Sequence, residues 1–392
     1  MLLRNARIVL IDSTTGPTSV LIEDGRVARV FDSSEIPPAS SQIVDLHGLT
    51  LFPGFLDIHI HGSASVDTMD TSADGLHKIA VFLRNNGVTA WVPTLVPSSA
   101  EGYVRAIRAI SDVIDDQKSH LPIPEARILG VHYEGPFVNS QQCGALHREY
   151  FRTFNAIEDI NFLPTLSETN AIHLMTLAPE IDGGIALINE LDKRKWIVSV
   201  GHTRATADVL DQAFEAGARH MTHFMNAMTP LHHRAPGPVG WGLMNDQVTC
   251  DLIADGIHLD PSILKLVLRN KTSKRVSLIS DAIAATGLGD GEYQIWGETI
   301  VVENGRTRNS HGSIAGSVIT MIDAARMMLS LGFPESEVAQ MAALNPARLL
   351  KLDHECGSIE AGKRADLVAL DDKRRVRLTI VGGQIAFQDL PS

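Results

Sequence analysis

Pro53-Gly54-Phe55-Leu56-Asp57-Ile58-His59-Ile60-His61-Gly62 is the run on which the architecture of this chain turns. Its middle reads as a buried strand. Side chains two apart on a strand share a face, so His59 and His61 point the same way and can reach one ion. His-x-His also occurs on ordinary surface strands. The flanking Pro53-Gly54 and Gly62 set this one apart, and so do the segments downstream of it.

Outward from this run, strand-like segments recur at 55–61, 89–96, 127–134, 172–177, 196–202, 220–224, 248–255 and 276–281. Amphipathic helical patterns lie between most of them, for example at 73–85, 100–114, 184–193 and 206–216. Two more, at 317–331 and 334–343, lead back toward the C-terminal segment. Alternation of this kind predicts an α/β protein with a (β/α)8 TIM-type barrel rather than an open sheet. The length, 392 residues, suits a barrel of about 250 residues or more plus a smaller satellite.

The satellite is expected from the two ends. Val20 to Val30 is a pair of β-type runs around Asp24-Gly25, a hairpin signal. Runs at 365–370, 376–381 and 384–387, with Gly382-Gly383 as a turn, echo it at the far end. Neither end has enough apolar surface for its own core. The expectation is therefore a discontinuous small β-sandwich domain from 1–50 and 356–392, with the barrel at 51–355.

Bulk properties narrow the function. The chain is 44% hydrophobic and 20% charged, ordinary for a soluble globular protein. No apolar run reaches the roughly 20 residues that span a bilayer, and Met1-Leu2-Leu3-Arg4-Asn5 does not read as a signal peptide. Cys143, Cys250 and Cys356 are odd in number and far apart, which fits a reducing cytoplasm better than a disulfide framework. A net charge of −12 argues against nucleic acid or an anionic membrane as partner.

In a barrel of this kind, chemistry sits at the C-terminal ends of the strands. Polar groups collect there. The third strand ends in Glu134 before Gly135-Pro136, the fifth in His202, the sixth carries His220 and His223, and the eighth ends in Asp281. Taken alone, each has a plain reading: a solvated acid, a core histidine, an Asp that caps a helix. Together with His59 and His61, and counting one histidine of the sixth strand, they make six, and six coincidences are less economical than one site. Neutral imidazole and carboxylate are common metal ligands, and a terminal Asp beside a metal can shuttle a proton. His220 and His223 are three apart and face opposite ways on a strand, so His223, nearer the end, is the expected ligand. His132 is expected to point away from the neighbours of Glu134 and to be structural.

These residues resemble the amidohydrolase superfamily and, within it, the N-acetylglucosamine-6-phosphate deacetylase family. The resemblance rests on residues 53–62, Tyr133-Glu134-Gly135-Pro136-Phe137-Val138-Asn139, Gly201-His202-Thr203, Thr222-His223-Phe224-Met225-Asn226-Ala227-Met228, Ala254-Asp255-Gly256-Ile257-His258 and Ser280-Asp281-Ala282. It implies that Glu134, His202 and His223 hold a divalent metal, with His59 and His61 fitting members that hold a second and Glu134 bridging. One or two ions are implied, zinc first, with iron, cobalt, manganese or nickel also compatible. Met175-Thr176-Leu177-Ala178 supplies no lysine at the end of the fourth strand, so a carbamylated-lysine bridge is not expected.

The resemblance further implies that Asn226, Ala227, Arg234 and His258 bind a sugar phosphate. Arg234 would be lent by a neighbouring subunit in a homodimer. His147 would contact the sugar and Ile314 would wall the acyl methyl. Two positions depart from the family pattern. Gly62-Ser63-Ala64-Ser65 replaces a glycine run, and Gly144-Ala145-Leu146-His147 has Leu where a histidine or glutamine follows Gly-Ala. The implied reaction is hydrolysis of an N-acetylhexosamine 6-phosphate, with Asp281 as the proton carrier. The alternatives are the galactosamine epimer, a cyclic amide or N-acyl amino acid, and a barrel without catalysis.

Overall fold

The computed structural model describes residues 1–38, 40, 42–119, 123–167 and 171–390. Phe55–Ile60 is a strand in which every residue is buried. It pairs in parallel with Val88–Leu95. The ladder continues through Gly130–Glu134, Ile172–Leu177, Ile197–Val200, His220–Met221, Thr249–Ile253 and Val276–Ile279, each parallel to the one before. The last strand returns to the first. The Asp281 amide donates to the His59 carbonyl at 2.9 Å, and the Ser280 hydroxyl donates to the buried Asp57 carboxylate at 2.5 Å. All the expected barrel strands are present, in the expected order.

Several are shorter than the sequence pattern suggests. The sixth keeps two residues, because His223, Met225 and Ala227 take positive φ and turn the chain away from extended geometry. The helices Ala73–Asn85 and Gly184–Lys193 fall where periodicity puts them. Ala100–Lys118 runs four residues further than expected. The helix expected from 317 begins only at Met321. Ser317 is held by the end of the eighth strand instead: its amide donates to the Asp281 carbonyl at 2.7 Å. Thr320 and Asp323 then form a capping box that starts the helix.

Not anticipated from the sequence is a three-stranded antiparallel sheet, Gly291–Ile295, Glu298–Glu303 and Arg306–Arg308, inserted after the eighth strand. Asn304-Gly305, a strong hairpin dipeptide, marks its second turn. It has a core of its own around Ile283, Ile295, Ile300 and Val302.

The two ends of the chain build one hydrogen-bonded sheet. Its order is Gln384–Gln388, Val376–Val381, Leu367–Leu370, Thr50–Pro53, Leu2–Val9, Thr14–Glu23, Arg26–Val30, with Ile43–Asp45 also on Leu2–Val9. Leu3, Ile8, Val20, Leu51, Leu367 and Ile380 form its separate core. The sheet coils so that its edge hairpins meet: a side chain built on Gly383 would lie 2.6 Å from the Gly25 Cα. The expected break after residue 50 falls inside Thr50–Pro53. Only Gly54 separates that strand from the first barrel strand, and a Cβ there would sit 2.3 Å from the Thr89 side chain.

Candidate metal centre

Six side chains from five strands converge at the C-terminal rim. The Nε2 atoms of His59 and His61 are 3.2 Å apart. Glu134 is the hub. Its Oε1 lies 2.9 Å from the Nε2 of both His202 and His223, and its Oε2 lies 3.3 Å from His61 Nε2. Asp281 Oδ1 is 3.2 Å from His61 Nε2 and 3.4 Å from His59 Nε2. Two groups that could each hold a metal ion result, His59 with His61 and Glu134, and Glu134 with His202 and His223, and Glu134 belongs to both.

Backbone strain aims three of these groups. His202, His223 and Asp281 each stand two residues past a strand end and have φ of 47°, 32° and 50°. Left-handed geometry costs a non-glycine residue about 1–3 kcal/mol and persists only where neighbours fix it. Here they do. The Asn139 amide donates to the His202 carbonyl at 3.0 Å, and the Asn226 amide to the His223 carbonyl at 2.9 Å.

The charges are buried and matched. Burial raises the Glu134 carboxyl, but His59 and hydrogen bonds from His202 and His223 outweigh it and hold the group well below the usual carboxylate range. Asp281 is also lowered: burial opposes, and His59 and His61 prevail. His61 is depressed by burial yet pushed up to about 10 by Asp281 and Glu134.

This donor set fits a divalent cation. His202 Nδ1 lies 2.8 Å from the Gln142 carbonyl, which holds a proton there, so that Nε2, which faces Glu134, is the nitrogen that a cation would take. That Nε2 is 3.1 Å from His223 Nε2. Imidazole nitrogens gathered this closely around a carboxylate are reconciled by a positive centre between them. Imidazole and carboxylate together suit a transition-metal dication.

His132 corrects one expectation. Two residues from Glu134, it shares that residue's face rather than opposing it. Its ring stands edge-on to His59 at 4.7 Å, with Nε2 2.7 Å from the Thr176 hydroxyl. Burial, with His59 alongside, pulls its pKa well below the ordinary value. It buttresses the cluster from within and belongs to neither ligand group. His220 turns away from the cluster: Nδ1 is 2.7 Å from the Thr249 hydroxyl and Nε2 2.8 Å from Asp251 Oδ1.

A cavity of about 470 Å³ opens over the cluster. Asn226, Ala227, His258 and Ile314 line it together with His61, Glu134, His202, His223 and Asp281. His258 is braced by Asp255, with Nδ1 2.6 Å from Oδ2. His147 is placed elsewhere. It lines an adjoining cavity of about 730 Å³, while Leu146 lines the metal cavity. Arg234 lies on an exposed loop outside both, with one guanidinium nitrogen 2.9 Å from His233 Nε2.

Three contributors were not read from the sequence. Trp296, on the inserted sheet, lines the metal cavity with its ring edge-on to His61 at 5.4 Å. Asp57 ties the first strand to the last. Burial raises its pKa to about 6 against the hydrogen bonds from Ser280. Glu180 receives Asn139 Nδ2 at 2.8 Å and the Thr203 hydroxyl at 2.6 Å, fastening two rim loops together. Asp57 alone had a signal, since it stands inside the His-x-His run.

The model of the amidohydrolase family matches residues 50–386. The chain belongs to the amidohydrolase family. This amidohydrolase is 35% identical over 385 residues to the N-acetylgalactosamine-6-phosphate deacetylase of Escherichia coli O157:H7, covering 98% of each chain. It is also 35% identical over 390 residues to the N-acetylglucosamine-6-phosphate deacetylase of Bacillus subtilis strain 168, covering 99% of this chain and 97% of that one. Among solved structures, N-acetylglucosamine-6-phosphate deacetylase from Pasteurella multocida superposes with a TM-score of 0.90 at 30% identity, over 98% of both chains.

Proposed function

We propose that this amidohydrolase removes the acetyl group from an N-acetylhexosamine 6-phosphate, giving the amino sugar phosphate and acetate. The carrying observation is the convergence of two histidine–glutamate ligand groups and Asp281 at the floor of a cavity with Asn226, Ala227 and His258 on its wall. Relatives of nearly the same length are named for this reaction. N-Acetylglucosamine 6-phosphate is the first choice of substrate. The galactosamine epimer is the second, favoured by equal identity to both kinds of relative and by Leu146 in the cavity wall.

His59, His61, Glu134, His202 and His223 would hold one or two divalent ions, zinc first. A metal there would acidify water and polarise the acyl oxygen. Asp281 moves the protons. Its lowered pKa keeps it anionic near neutral pH, so an Oδ atom accepts a proton from the attacking water. The same carboxyl then returns that proton to the leaving nitrogen, which departs as an amine. Ile314 forms an apolar wall for the acetyl methyl. Asn226, Ala227 and His258 receive the sugar phosphate, while His147 lines the adjoining cavity rather than this one.

Phosphate is an anion and calls for a guanidinium fork. Arg234 supplies one from an exposed loop outside its own cavity, which suits delivery to the site of a second copy in a homodimer. Three free cysteines suit a cytoplasmic location. No helix among the described residues is long and apolar enough to cross a membrane.

The test is turnover with zinc-loaded protein on four compounds: N-acetylglucosamine 6-phosphate, its galactosamine epimer, and both sugars without phosphate. Acetate release confined to the phosphorylated pair supports the reading, and their ratio assigns the epimer. Failure on all four removes it.

A further inference from the structure

We propose that Trp296 sets the length of the acyl group this enzyme accepts, by walling the metal cavity off from a second, larger cavity behind it. The inference rests on the deacetylase reading and sharpens it.

Trp296 sits at the first turn of the inserted sheet, between Ile295 and Glu298, with φ of 55°. It lines both cavities, the 470 Å³ one over the metal ligands and the 730 Å³ one beside it. Its ring meets His61 edge-on, at 5.4 Å and 87°. The indole is therefore the partition at the His61 end of the cluster.

The two ends of the cluster differ. Glu134 turns Oε1 toward His202 and His223 and Oε2 toward His61. The residues assigned to the sugar phosphate begin three positions after His223, and the Asn226 amide side chain donates to the His223 carbonyl at 3.2 Å. A substrate held by its sugar at the His223 end, with its carbonyl carbon over the cluster, points its acyl substituent toward His61. There it meets Trp296. A methyl group fits in front of the indole, and a longer chain runs into it.

Behind the indole the lining is mixed, polar and apolar. Asp67, His147 and Trp296 all line the second cavity, with the Trp296 indole N–H facing the Asp67 carboxyl and His147 Nε2 3.7 Å from Glu298 Oε1. Val96, Met69 and Tyr150 add apolar surface. Such a lining suits an uncharged acyl tail that ends in a hydroxyl. With the indole gone, the two spaces join.

The experiment measures kcat/KM on glucosamine 6-phosphates bearing N-acetyl, N-butanoyl and N-(4-hydroxybutanoyl) groups, for wild type, Trp296→Ala and Trp296→Phe, with bound metal assayed in each. Misfit of one methylene in an apolar pocket is worth about 10- to 200-fold. Wild type should favour acetyl by at least that factor. Trp296→Ala should raise the long-to-acetyl ratio about tenfold or more, most for the hydroxyl-ended chain, and Trp296→Phe should stay near wild type. An unchanged ratio in metal-loaded Trp296→Ala overturns the proposal, as does a wild type that accepts butanoyl as readily as acetyl. If Trp296→Ala binds no metal, Trp296→Leu is measured the same way. Loss of metal in both would make the indole a support for His61 and overturn its role as a partition. A wild type inert on every N-acetylhexosamine phosphate sinks the deacetylase reading instead.

Discussion

Loading metal into this centre should expel protons. Without metal, Asp281 and Glu134 hold His61 up to about 10, so at pH 7 the ring carries a proton. A metal ligand must be neutral imidazole. Removing that proton at pH 7 costs about 4 kcal/mol, three pH units at 1.36 kcal/mol each. The apparent affinity should therefore rise about tenfold per pH unit between pH 7 and 9. His223 is raised in the same direction by Glu134, over the opposing effect of burial. The assay is calorimetric titration of the metal-free protein with zinc in two buffers of different ionisation enthalpy, repeated across that pH range. One proton or more should leave per cluster filled. Stability is linked to the same group. A histidine raised in the folded state stabilises fully below its unfolded pKa, near 6.5, and that contribution is lost as pH climbs through about 10. The metal-free protein should thus melt lower at pH 9.5 than at pH 7. Affinity independent of pH, with no proton released, would show that the two carboxylates do not sit as anions against His61, and the account of the centre would fall.

Asp281→Asn should keep its metal and lose about 10²- to 10⁴-fold in kcat; normal turnover would remove Asp281 from proton transfer. Arg234→Ala should raise KM for the phosphorylated substrate by about 10- to 150-fold, the worth of a hydrogen bond to a charged group, and leave the unphosphorylated sugar unaffected. An equal loss on both sugars would count against a phosphate contact. Asp251→Ala removes the carboxylate that stands 2.8 Å from Nε2 of the buried His220. It should lower stability in urea by about 1–3 kcal/mol with little effect on metal content, and loss of metal there would mean that His220 takes part in the centre.

The barrel was legible because period-two strands and period-3.6 helices alternate, and because buried parallel strands end in polar residues. The side chains of the cluster stand beside landmarks that sequence alone exposes: a glycine after Glu134, a glycine before His202, an apolar run before Asp281. What sequence could not supply was orientation past the strand ends. His202, His223 and Asp281 reach the centre through left-handed backbone that strand alternation does not describe. His132 differs for the opposite reason: alternation does apply to it, and puts it on the face of Glu134 rather than the other. Trp296 lay hidden in an insertion whose strands are short and half exposed. Its approach to His61 depends on tertiary packing that no local pattern encodes.

The strand Thr50–Pro53 lies between Leu2–Val9 and Leu367–Leu370, its partners drawn from opposite ends of the chain. During synthesis it leaves the ribosome with one flank covered and the other bare until more than three hundred further residues have followed. A nascent chain thus carries an open sheet edge beside His59 and His61 for most of its translation, an invitation to chaperones and to aggregation that closes only when the last hairpins arrive.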